Sequence, residues 1–109
     1  MNNHILEAAR TYILEVKQSP EYQEYQVQLE RIKQQPELYA RVNEFRKRNF
    51  ELQNSEYSEN LMERADELER EYAGLRENSL VEDFLEAELD FCRMMQDANA
   101  LIARELDFQ

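Results

Sequence analysis

One histidine (His4), one cysteine (Cys92) and a dense run of carboxylates between Glu59 and Asp90 are the side chains through which this sequence would act on a metal or a substrate. A closed zinc site takes four ligands, mostly Cys and His, and no Glu-x-x-His pair or second histidine accompanies His4. The acidic run sets twelve carboxylates against Arg64, Arg70 and Arg76. It falls in helix-forming sequence without a glycine-bearing loop to wrap a cation, so it reads as a solvated face rather than as acid/base pairs or a calcium site. Cys92 has no expected base or helix N-terminus beside it to lower its pKa, and reads as a small core or edge residue. Arg46-Lys47-Arg48 point about 100° apart on a helix and make no uniform basic face. No catalytic, cofactor-binding or metal-binding residue is expected, and no enzyme.

The elements that carry these residues are helices. Among 109 residues there is one glycine and there are two prolines, the profile of long helices rather than of strands and turns. The length suits a single domain, 1–109. Pro20 and Pro36 each suit the first position of a helix, where the missing N–H is not needed, and each pushes the preceding residue out of helical geometry. About five segments follow. The first, from Asn3 to Gln18, aligns Ile5, Ala9, Tyr12 and Val16, a stripe that wants a partner. The second, Pro20 to Gln34, is capped by Ser19 and aligns Tyr22, Tyr25, Leu29 and Ile32. The third, Pro36 to Gln53, aligns Leu38, Val42, Phe45 and Leu52 beside a ladder of Glu37, Arg41, Glu44 and Arg48.

Asn54, Ser55 and Ser58 mark the clearest break. The fourth segment, Glu59 to Glu77, aligns Leu61, Ala65, Leu68, Tyr72 and Leu75, with Gly74 as its weak point. Ser79-Leu80-Val81-Glu82 reads as a capping box opening a last helix from Leu80 to Asp107. The expected architecture is all-α, with two short N-terminal helices and a long C-terminal helical hairpin. The two proline-led starts, Ser19-Pro20-Glu21-Tyr22 and Gln35-Pro36-Glu37-Leu38, are too few to argue a solenoid.

The last helix is long for so small a chain. It carries Phe84, Phe91, Met94, Met95, Leu101, Ile102 and Leu106, more apolar face than the shorter segments easily cover. These residues are the candidate oligomer interface, and the bundle is expected to be completed by a second copy, most simply a dimer with a two-fold axis. Three polar residues fall inside the apolar stripes: Asn49, Glu88 and Asn99. Either each sits at a stripe edge and reaches water, or packing covers it and it needs a hydrogen-bond partner. In the second case Glu88, paired with Asn49 or an arginine, sets the register of packing or of the dimer.

The formal net charge of −11 repels phosphate backbones and anionic membrane surfaces. Proteins are therefore the expected partners, with neither direct nucleic-acid contact nor a membrane. No apolar run is long enough to span a bilayer, and Met1-Asn2-Asn3-His4 lacks the features of a signal peptide. A cytoplasmic protein is expected, and a lone cysteine agrees with a reducing compartment.

Taken together, Ala9, Tyr12, the Ser19-Pro20-Glu21-Tyr22 start, the Pro36-Glu37-Leu38 start, Phe45 and the Val81-(x)₂-Phe84-Leu85-Glu86-Ala87-Glu88 stretch resemble the YlbF/YmcA family of bacterial regulators. The resemblance covers nearly the whole chain and rests on the order of helical patterns. It implies an all-helical, self-associating cytoplasmic protein without catalysis of its own, associated with control of competence, sporulation, biofilm formation or RNA processing. Relatives that carry iron–sulfur clusters have additional cysteines, whereas this sequence has Cys92 alone. No cofactor is expected. The expected function is that of a regulatory or adaptor protein; the alternative is a structural homo-oligomeric module.

Overall fold

The computed structural model describes residues 3–54 and 60–107, and among them there are six helices and no strand. They are α1 (Asn3–Gln18), α2 (Pro20–Lys33), α3 (Pro36–Gln53), α4 (Leu61–Glu71), α5 (Ala73–Arg76) and α6 (Ser79–Glu105). The fold is all-α, as its sequence implies.

The helix starts show how local chemistry divides the chain. Ser19 is extended at φ −69°, ψ 147°, and its hydroxyl accepts a hydrogen bond from the Tyr22 N–H at 3.1 Å. This satisfies one of the orphan donors of the first turn, with Pro20 in the position that tolerates it. Gln35, ahead of Pro36, is likewise held out of the helix at φ −119°, ψ 82°. The break expected at Ser55 and Ser58, and the helix start expected at Glu59, lie outside the described residues; α4 begins at Leu61.

Two expectations need correction. The capping box at Ser79 does not form: the cap is Asn78, one residue earlier, whose Oδ1 accepts from the Leu80 N–H at 2.9 Å. An extended Asn at this position reaches the N2 amide directly, which leaves Ser79 as the first helical residue. Glu82 turns away to pair with Arg76 at 3.5 Å. The expected fourth helix is two, broken at Tyr72 (φ −110°, ψ 19°) rather than weakened at Gly74. Tyr72 is held from outside its own helix. Its ring packs on Phe45 with centroids 5.2 Å apart, and its hydroxyl donates to Glu44 Oε1 at 2.8 Å and accepts from Arg48 at 3.2 Å. The bend keeps Leu68, Tyr72 and Leu75 all turned into the core.

That core is built from Ile32 of α2, Val42, Phe45 and Leu52 of α3, Leu68 and Tyr72 around the bend, Leu75 of α5, and Val81 and Phe84 of α6. The principal partner of α6 is α2, while α4 packs on α3 and α5 turns the chain onto α6. The core then stops. Ala87 is the last buried residue of α6, and α1 contributes none. At 27 residues α6 runs about 40 Å, so well over half of it extends past the core. The radius of gyration is 17.7 Å, against about 13 Å for a compact chain of this length. The accessible surface is 8723 Å², against about 6,400 Å² for a compact monomer of this mass.

Candidate interaction surface

Where α2, α3 and α6 meet, five aromatic rings pack on one another, and one ion pair adjoins them at Phe84. Tyr25 of α2 stacks on Phe84 and on Phe91 of α6, at centroid separations of 5.9 and 5.5 Å. Tyr22 meets Phe91 edge-on at 5.5 Å, and Tyr39 of α3 meets Phe84 edge-on at 6.4 Å. Offset and edge-to-face geometries are the favourable ones, each worth about 0.5–1.5 kcal/mol beyond area burial. Spacings of three and four residues carry Tyr22, Tyr25 and Leu29 along one face of α2, and a spacing of seven puts Phe84 and Phe91 on one face of α6, so that these rings meet between the two helices.

Within this cluster Glu88 of α6 is ion-paired with Arg46 of α3, whose guanidinium also lies 5.5 Å over the Phe84 ring. Glu88 Oε2 is buried and its contact with Arg46 is ionic, without hydrogen-bond geometry. Burial pushes the Glu88 carboxyl above its ordinary value, and the Arg46 charge offsets part of that rise. Burial, and then the Glu88 charge, raise the Tyr25 phenol. A carboxyl and a phenol with raised pKa values beside each other are one signature of acid/base chemistry. Here the carboxyl's partner is a guanidinium of another helix, and the pair ties α3 to α6. Of the three polar residues singled out in the stripes, Glu88 takes Arg46 as partner rather than Asn49, which is half-buried, while Asn99 is exposed.

A second tie joins α3 to the α4–α5 bend. Arg48 pairs with Glu71 at 2.6 Å and, with Arg41, flanks the Tyr72 ring. The ladder expected along α3 is thus redirected: Glu44 accepts from Tyr72, and Arg48 reaches across to α4. The carboxylates of α2 and α6 line a shallow surface at Glu24, Asp83, Glu86 and Asp90. Among the described residues, no three His, Cys, Asp or Glu side chains group as a metal would require, and no helix is long and apolar enough to cross a membrane. Cys92 is exposed.

Beyond the core the apolar stripes stay on the surface. On α1, Ile5 is 64 % exposed and Ile13 51 %; on α6, Leu101 is 48 %, Ile102 46 % and Leu106 69 % exposed. Between the two helices lies a cleft of about 200 Å³, walled by Tyr12, Val16 and Ser19 on one side and Met94, Met95 and Ala98 on the other. The residues expected at an oligomer interface therefore divide. Phe84 leaves the set, because it is fully buried in the chain's own core. Phe91 is half-covered by the α2 tyrosines, Met94 and Met95 line the cleft, and Leu101, Ile102 and Leu106 face outward. On α1, Ile5 and Tyr12 of the stripe visible in the first segment are exposed, and so is Ile13 beside it.

The chain is similar to a UPF0342 protein of Desulfitobacterium hafniense (strain Y51), 29 % identical over 104 residues that span 94 % of this chain and 84 % of the relative. No solved structure matches. The family model described as "Control of competence regulator ComK, YlbF/YmcA" matches residues 5–107. With that match running from the apolar face of α1 to the end of α6, the chain belongs to the YlbF/YmcA family of competence regulators.

Proposed function

We propose that this protein is a non-enzymatic regulatory protein of the cytoplasm that acts by docking its helices against other protein chains. The observation that carries this is the uncovered apolar face of α1 and of the distal half of α6, on a chain whose core ends at Ala87. Isolated exposed leucines need no explanation, but a continuous apolar seam on two adjacent helices is the form a protein interface takes. The family description, control of a competence regulator, supports a regulatory role; sporulation, biofilm formation and RNA processing are further processes that the family resemblance implies for such docking.

The test is copurification of chemically crosslinked complexes from the native host, comparing the wild-type chain with Ile13→Glu and Ile102→Glu. Stable partner proteins are expected with the wild type and lost with both variants. A wild-type chain that crosslinks to no other protein, while remaining folded, would sink the proposal. The surplus of accessible surface, about 2,300 Å² above that of a compact monomer, favours a second reading, a homo-oligomeric module whose assembly is itself the function. It predicts that the seam crosslinks to further copies of this chain and to nothing else.

A further inference from the structure

The register in which α2 lies on α6 does not stop at the end of α2. Tyr25 stacks on Phe84 and Tyr22 meets Phe91, so the two helices run antiparallel, each step back along the earlier one matching a step forward along α6. Across Ser19 the same order holds on α1, where Val16 and Tyr12 wall a cleft against Met94, Met95 and Ala98. Carried outward by steps of three and four residues, this register sets Ala9 opposite Ile102 and Ile5 opposite Leu106. Side-chain sizes match it: a large Tyr12 faces a small Ala98, and a small Ala9 faces a large Ile102, the alternation that lets two helices interdigitate. None of these residues is charged. Yet Ile5 is 64 % exposed, Ile102 46 % and Leu106 69 %, so the matching faces lie open.

What separates the faces is one residue. Ser19 is the single non-helical position between α1 and α2, extended at φ −69°, ψ 147°. The polar ties of α1 to α2 sit at this end: the Ser19 hydroxyl donates to the Val16 carbonyl at 2.6 Å, and the Gln23 amide donates to the Lys17 carbonyl at 2.5 Å. Because α1 contributes no buried residue, it can turn about Ser19 without opening the core, as a hinge requires. Two helices paired beyond a core keep much of their surface in water, so open and closed arrangements differ little in free energy. A partner that binds only the open one can then shift the balance.

We infer that α1 is a strap that closes over the distal half of α6 in the same chain, turning about Ser19, and that the closed strap withholds from partner proteins the face to which docking is assigned above. The inference rests on that docking reading and supplies its regulation.

The experiment uses the full chain in a Cys92→Ser background with Ala9→Cys and Ile102→Cys. Closure brings these positions within the ~7 Å between Cα atoms that a disulfide spans. Oxidation of dilute protein is expected to link them within one chain in most molecules, at a rate independent of protein concentration and with the 13.2 kDa mass retained. The control pair Ile5→Cys with Ala98→Cys, about two helical turns out of register, should stay reduced. Absence of the intrachain disulfide, a disulfide that only joins two chains, or equal oxidation of both pairs overturns the inference. In copurification of crosslinked partners, the linked chain is expected to lose at least nine-tenths of the capture shown by the same chain after reduction. Undiminished capture by the linked chain also overturns the strap. A wild-type chain that captures no protein sinks the docking reading instead, and the in-register disulfide then shows the closure by itself.

Discussion

At the residue scale, Glu88 shows how a half-buried carboxylate is held in a chain with so many exposed ones. Its raised pKa means that the folded state favours protonation more than the unfolded state does, with burial outweighing the Arg46 charge. The sign for stability follows. The contribution is fully present below the ordinary value of 4.5 and is lost as pH rises through the higher value of the folded state. Glu88→Gln is therefore expected to gain melting temperature relative to wild type as pH rises from acid to neutral, measured by circular dichroism. A difference independent of pH would show that Glu88 ionises as freely in the folded protein as in the unfolded one. Arg46→Ala removes the ionic partner of the buried Glu88 oxygen and should cost about 1–2 kcal/mol, discounted for partial exposure of the pair, in urea unfolding at neutral pH. It should also move the Glu88 titration higher still.

At the element scale, the two corrections to the helix boundaries make separable predictions. Because Asn78 caps α6, Asn78→Ala should cost about 1 kcal/mol, whereas Ser79→Ala should be nearly neutral. Equal effects in thermal denaturation would restore the capping box that the sequence suggests. Gly74 lies in α5 without positive φ, and a Cβ there would meet nothing within 4 Å. Gly74→Ala should accordingly stabilise the protein by about 0.4–1 kcal/mol, chiefly by restricting the unfolded chain. The helix breaks at Tyr72 instead, because a ring buried to 1 % exposure and bonded to Glu44 and Arg48 outweighs the preference of one residue for continuing a helix. At the far end of α6, Asp107 takes φ 53°, the left-handed conformation in which helices commonly terminate.

For the whole molecule, the uneven spread of burial predicts uneven stability. Amide exchange should be slowest in α3 and the first third of α6, which hold the core, and fastest in α1, which holds none of it. On the homo-oligomeric reading, raising protein concentration should slow exchange in α1 and the distal half of α6 selectively. Uniform protection across α1 and α6 at low concentration would mean that one chain shelters both by itself. Both stripes lie largely outside the core cluster, so substituting them is expected to alter assembly more than the fold.

The sequence by itself determined the all-helical class, the starts at Pro20 and Pro36, the Ser19 cap and the apolar stripes, because each follows from geometry repeated every three or four residues or from a single side chain beside its own backbone. It also marked Glu88 as a polar residue within a stripe. Only the tertiary structure decided that Arg46 would be its partner, that Tyr72 would bend the fourth segment, and that Phe84 would belong to the core while Ile102 stayed outside. Periodicity says that a face is apolar but not what covers it. The cover comes from residues distant in the chain, and here full burial along α6 ends at Ala87.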